Sequence, residues 1–280
     1  MKPWLRWTLI AVFILIFLFC AILLIDYFGK SGKEQAEFSE LSNLVQQAIP
    51  TEPAAVPTGP ADPDTTVPPT EPPSPWVEVT DPKTGETVQV LPEYAPIYEL
   101  NSDVVGWMRI EGTKVDYPVM QTPGRKDYYL KRNFNKQYSG HGCLYAREEC
   151  DLTRPSDNIT IYGHHMKDGS MFAVLSKYRN GGLNFYDEHR YITFDTLTEH
   201  HTYEIFAVFA TTATIGEGFA YHDYIDCTED EFNEFVRLCK KLSFYDTGIT
   251  ASYGDKLITL STCEYTRVNG RLVVVAKRIS

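Results

Sequence analysis

Hydrophobic positions follow three regimes along the chain. In residues 7–25 no charge interrupts them, and the run reaches the roughly 20 residues that a helix needs to cross a bilayer. In residues 31–49 they thin to Phe38, Leu41, Leu44, Val45 and Ala48, spaced by threes and fours, which predicts an amphipathic helix that Pro50 stops. From Trp76 onward they gather in short β-branched or alternating runs with turn residues every ten positions or so. Residues 76–79 and 87–90 alternate as a hairpin across Asp81-Pro82-Lys83-Thr84-Gly85. Further strands are expected at 106–110, 114–120, 142–146, 158–162, 191–194, 202–210, 257–263 and 271–279. Helices are few: Ser170 is placed to cap one at 171–178, and Thr228 with Glu231 makes a capping box for one through Lys241. Many short strands with few helices predict a mainly β, closed or nearly closed sheet.

Between the amphipathic stretch and the strands lies a different composition. Residues 50–75 hold ten prolines, four acidic residues and no lysine or arginine. Such a segment cannot build a core and favours extended polyproline conformations, so it reads as a spacer. The expected organisation is a cytoplasmic tip and membrane anchor at 1–29, a stalk helix and Pro-rich linker at 30–75, and a globular domain at 76–280. A cleaved signal peptide is the alternative for the apolar run, but the run exceeds the usual apolar core of such a peptide and no small-x-small site follows Ile25. Few residues precede Trp7, which points to the amino terminus inside and the remainder outside. The net charge of −11 has the wrong sign for a phosphate-binding surface and argues against nucleic acid as a partner.

The candidate chemistry sits at strand ends. The run from Leu257 to Cys263 ends on a thiol, and the strand before Gly163 ends on His164 and His165. An imidazole beside a thiol raises its thiolate fraction, the basis of Cys/His covalent catalysis. Asn269-Gly270 is a turn signal between the last two strands, which therefore pair antiparallel. A bend centred on Arg267 puts Cys263 and Arg271, each four residues away, opposite one another and leaves Arg267 at the loop tip. His164 and His165 are both candidate bases, one on each side, because neighbouring side chains on a strand face opposite ways. Tyr162 shares the face of His164.

Thr259-Leu260-Ser261-Thr262-Cys263, Ile161-Tyr162-Gly163-His164-His165-Met166 and the arginine opening the last apolar strand together resemble a sortase, and more narrowly a class B sortase. The likeness runs in order over residues 100–280. It includes Val105-Gly106-Trp107-Met108-Arg109-Ile110, the segment Val115-Asp116-Tyr117-Pro118-Val119, Tyr128-Tyr129-Leu130 with Asn133-Phe134, and Met171-Phe172 with Leu175. It implies an eight-stranded barrel with the helix near 228–241 as a class B insertion, in a membrane-anchored protein whose catalytic domain is extracellular. It implies Cys263 as nucleophile, His164 as acid and base, and Arg271 as the substrate-holding arginine, with Thr262 and Glu264 beside the nucleophile as substrate contacts. The activity it implies is cysteine transpeptidation. A carboxy-terminal sorting signal of a surface protein or pilin is cut after Thr, held as a thioester, and passed to an amine of a peptidoglycan precursor or to a pilin lysine. A cysteine peptidase hydrolysing the same acyl-enzyme is the alternative.

The remaining candidates read blandly. Metal ligands are not spaced as a site, and no cofactor is expected. Cys143 with Cys150, and Cys227 with Cys239, are close enough in sequence to pair, but free thiols are favoured. His141, His189, His200, His201 and His222 lie in turns or polar runs and read as solvated. Pro82-Lys83-Thr84-Gly85 matches the Pro-x-Thr-Gly core of many sorting signals, yet a plain turn accounts for it.

Overall fold

The computed structural model describes residues 3–49, 75–214 and 216–280. The Pro-rich spacer falls outside the described residues. Helix α1 (Pro3–Ala48) is continuous and joins the apolar and amphipathic stretches into one element. Its first part, Pro3–Ile25, exposes apolar side chains all round and spans about 34 Å at the usual helical rise, long enough to cross a membrane. The chain divides into two compact units, Met1–Glu40 and Leu41–Ser280. Within the second unit Leu41 and Val45 are buried, and the Ser42 hydroxyl donates to Asp116 Oδ2 at 2.6 Å.

Eight strands close the barrel: β3 (Val104–Arg109), β4 (Asp116–Met120), β5 (Leu144–Ala146), β6 (Asn158–Tyr162), β7 (Tyr191–Thr196), β8 (Thr202–Thr212), β9 (Leu257–Glu264) and β10 (Gly270–Arg278). Their order around it is β10-β8-β7-β3-β4-β5-β6-β9. All eight coincide with expected strands to within a few residues. Two of the pairings, β4 with β5 and β6 with β9, are parallel. Strands β6 and β9 are buried on both faces over most of their length, which matches their near-continuous apolar and threonine-rich sequence rather than an alternating one.

The helix expected after Thr228 is α5 (Glu229–Leu242), and its capping box is formed: Thr228 Oγ1 accepts from Glu231 N while the Glu231 carboxylate accepts from Thr228 N. Its apolar face carries Phe232, Phe235, Val236 and Cys239, which join Phe206, Phe209, Val273 and Val275 of β8 and β10 in one buried cluster. The helix covers one wall of the barrel, the wall that includes the last strand.

Outside the barrel, β1 (Val77–Thr80) and β2 (Thr87–Val90) form the expected hairpin. Its turn is fully engaged. Asp81 Oδ1 accepts from Lys83 N, Tyr98 donates to Asp81 Oδ2, Gly85 takes the left-handed conformation, and Lys83 pairs with the buried Asp103. The Pro-Lys-Thr-Gly segment is therefore a turn tied into the fold. Around Ser170 the outcome differs from expectation. The Ser170 hydroxyl donates to Asp168 rather than capping a helix, and the chain enters α3 (Leu175–Asn180) through a 3-10 turn at Phe172–Val174. Two short helices, α2 (Ala95–Leu100) and α4 (Gly182–His189), complete the fold.

Replacing Thr228 with Ala removes the cap from α5 and is expected to lower unfolding stability by about 1 kcal/mol, read as a lower urea midpoint with an unchanged slope. An unchanged midpoint would show that α5 is held by its buried face alone.

Candidate active site

Strand β9 is flanked by β10 on one side and β6 on the other, and both registers converge on its carboxyl end. On the β10 side Arg271 is the cross-strand partner of Cys263 and Gly270 that of Glu264. The bend centred on Arg267 is thus the one observed. On the β6 side Tyr162 is level with Ser261, and Gly163 N extends the ladder to Ser261 O at 3.1 Å. Two residues further along these parallel strands stand His164 and Cys263. Both line a cavity of about 220 Å³, together with Arg271, Tyr162, Tyr221 and Arg147.

Small residues make this approach possible. A Cβ at Gly163 would lie 2.5 Å from Leu144 Cδ2 and 2.7 Å from Phe172 Cδ2, so only glycine passes there without displacing the wall behind the histidine. Gly142 has φ +61°, and a Cβ on it would come within 2.5 Å of the Leu130 carbonyl oxygen. That carbonyl is 2.7 Å from His164 Nε2. A carbonyl only accepts, so Nε2 carries the hydrogen and Nδ1 is left as the nitrogen that exchanges a proton. The loop beyond His164 folds back on itself: Phe172 N donates to His164 O, and Met171, at φ +53°, bridges to His165.

His165 faces elsewhere. Its Nδ1 is 3.3 Å from Cys263 O, Tyr265 donates to its carbonyl, and its ring lines a second cavity instead of the first. Arg271 donates through Nη1 to Gly270 O at 3.0 Å and makes no ion pair among the described residues, in a cavity whose lining also carries Lys126, Arg147, Asp127 and Glu148. Arg267 lies in the loop with Nε 3.9 Å from Glu264 Oε2.

Thr262 lines the cavity, but its side chain is almost wholly buried. The Glu264 side chain is turned away from the cavity lining: its Oε1 accepts from Arg179 Nη1 at 2.8 Å and from Thr266 N at 3.0 Å. Burial would raise this carboxyl, but the hydrogen bonds from Thr266 and the charge of Arg179 outweigh it and hold the group below the ordinary carboxylate range. The effect is a clamp from α3 onto the turn that joins the cysteine strand to the arginine strand.

Several cavity residues had no sequence signal. Tyr221 donates to or accepts from Ser261 Oγ at 2.6 Å, and Arg147 lies beside Tyr162, whose phenol burial keeps neutral. These come from connecting segments without a motif. The solvated reading needs correction for His141 and His201, whereas His200 is exposed as expected. His141 and His201 are buried, His141 Nε2 sits 2.9 Å from Asp168 Oδ2, and His200 bridges Glu93 and Asp195. His189 Nδ1 is 2.8 Å from Glu111 O, and His222 lines the first cavity. The polar sequence neighbours of His141 and His201 marked a surface, but the fold encloses both. Cys150, Cys227 and Cys239 are free thiols, as favoured. Burial pushes Cys150 and Cys227 up to about 11 and Cys239 well above its usual value.

The Sortase domain family model matches residues 108–279. Sortase B of Staphylococcus aureus is 30% identical over 192 residues, covering 68% of this chain and 76% of that protein. Sortase B of Listeria monocytogenes is 32% identical over 194 residues, covering 69% and 76%. The chain belongs to the class B sortases. Among solved structures, the Staphylococcus aureus sortase B–substrate complex superposes with a TM-score of 0.68 at 25% identity, over 90% of this chain and 98% of that one. As a sortase of this class the protein is a cysteine transpeptidase, and its closed eight-stranded barrel is that of its relatives.

Half-exposed Cys263 should be the cysteine of the globular unit that brief iodoacetamide treatment alkylates first in the native sortase. Peptide mass mapping is expected to find Cys143, Cys150 and Cys239 unmodified until the protein is unfolded. Faster labelling of any of these three would contradict the burial described.

Proposed function

We propose that this sortase cleaves a carboxy-terminal sorting signal after its Thr residue, holds the acyl group on Cys263, and transfers it to an amine of the cell wall or of a pilin. In the first step the Cys263 sulfur attacks the Thr carbonyl carbon, a C–S bond forms, and the carbonyl oxygen gains negative charge. Collapse breaks the C–N bond, and His164 gives its proton to the leaving amine. An incoming amine then attacks the thioester, loses its proton to His164, and releases Cys263 as the C–S bond breaks.

Arg271 is assigned to the developing oxyanion and the substrate carbonyl. Support for this is the register itself: a guanidinium with no ion pair among the described residues, directly across the strand pair from the thiol. Thr262 and the backbone N–H groups near Cys263 and Glu264 are the accompanying substrate contacts. The apolar helix is read as a single-pass anchor with the amino terminus in the cytoplasm and the barrel outside, where sorting-signal proteins and wall amines meet.

The test uses the full chain in detergent and a library of peptides ending in Thr-Gly or Thr-Asn motifs, read by intact mass for a thioester and by product analysis with and without added amine. Transfer product in the presence of amine is expected; hydrolysis alone under both conditions would favour a peptidase. Cys263→Ala should abolish both products with the circular dichroism unchanged. Arg271→Ala should lower turnover by about 10² to 10³, the cost of one oxyanion donor, whereas Arg267→Ala should stay within a few-fold. The reverse ranking would reject the assignment of Arg271.

A further inference from the structure

A transpeptidase has two substrates, and two cavities meet at the histidine pair. The first, lined by His164, holds the donor in the reading above. The second has a volume of about 610 Å³ and is lined by His165, by Lys114 from the turn between β3 and β4, by Lys167 from the loop after the histidines, and by Lys177 of α3. The apolar floor includes Ala173 and Val174. No acidic residue lines it. Lys114 donates to the Asp168 carbonyl, Lys177 stands over the Phe185 ring, and none of the three lysines makes an ion pair among the described residues.

Three ammonium groups from three separate segments around one concavity repel each other, and the unfavourable interaction is relieved when an anion enters. The volume is that of a small-molecule or short-peptide site. Its position is what gives it meaning. His165 belongs to the wall of this cavity and, through Nδ1, touches the carbonyl of Cys263 itself. His164 and His165 are consecutive, so their side chains open to opposite sides of the same chain segment.

We propose that the second cavity is the acceptor site, and that it selects an amine carrying carboxylates close by, as in an acidic peptide stem, over a neutral amine or a protein lysine. The proposal rests on the transpeptidase reading and deepens it. Lys167 and Lys177 bind the carboxylates and Lys114 completes the field, while the free amine points past His165 toward the thioester. There the amine nitrogen forms the new C–N bond, the C–S bond breaks, the sulfur keeps the electron pair, and the amine proton passes to His164.

The experiment uses the full chain in detergent with the library peptide that gives the most thioester as donor. Two acceptors are compared: Gly-Gly-Glu, with two carboxylates, and its diamide, with none. Wild type is expected to show a KM for Gly-Gly-Glu about ten-fold below that of the diamide, since an exposed charge pair contributes up to about five-fold each. In Lys167→Gln/Lys177→Gln the two KM values should come within about two-fold of one another. Lys114 is left in place there because it also holds the loop at Asp168. Added salt should raise the Gly-Gly-Glu value and not the diamide value in wild type. Equal KM values in wild type, or a ten-fold preference that survives in the double variant, overturn the acceptor-site proposal alone. Tighter retention of inorganic phosphate by wild type with no acceptor preference also overturns it, in favour of a simple anion patch. If no library peptide acylates Cys263, the transpeptidase reading fails and this proposal fails with it.

Discussion

Barrel closure at strand β9 is the constraint on which the site depends. The strand has no free edge: it hydrogen-bonds antiparallel to β10 and parallel to β6, and its side chains are buried on both faces until Cys263. A one-residue slip against either neighbour would turn every side chain of β9 to the opposite face, and both hydrophobic faces forbid it. The register that brings thiol, imidazole and guanidinium to one cavity is therefore fixed by the burial of Leu257, Ile258, Leu260, Val273 and Val275. α5 reinforces it from outside, since its Phe232 and Phe235 seat on the same strand pair.

Around this rigid frame, the groups that need orientation are held by backbone rather than by other titratable side chains. His164 takes its direction from a main-chain carbonyl, and that carbonyl is approached closely at Gly142. The turn between β9 and β10 is gripped by Arg179 through Glu264, which leaves Arg271 without an acidic partner of its own. An arginine tied to a carboxylate would have to give up that partner to meet a developing negative charge. Glu264, the acidic residue next to Cys263 in sequence, is thereby occupied elsewhere.

Much of this was legible in the residues. The eight barrel strands are short, β-branched and bounded by turn residues, so local pattern marks them, and the capping box of α5 is a local signal as well. The pairing of Cys263 with Arg271 could be counted from Arg267 because a hairpin's register is set by its bend. What could not be read depends on partners far apart in the chain. The Leu130 carbonyl reaches His164 across 34 residues and Arg179 reaches Glu264 across 85, and neither contact leaves a periodic trace. The buried His141–Asp168 pair was misread for the same reason: both residues sit in polar surroundings in sequence and are enclosed only by the fold. The parallel pairings were hidden too, because the connections that permit them carry no hairpin signal.

The parallel contact between β6 and β9 has a consequence for how the protein comes into being. The His165 ring meets the Cys263 carbonyl although the two residues are 98 apart in the chain, and such non-local closure slows folding. In an extended chain Cys263 and the two histidines lie far apart. Only the closed barrel brings Cys263, His164 and Arg271 to one cavity.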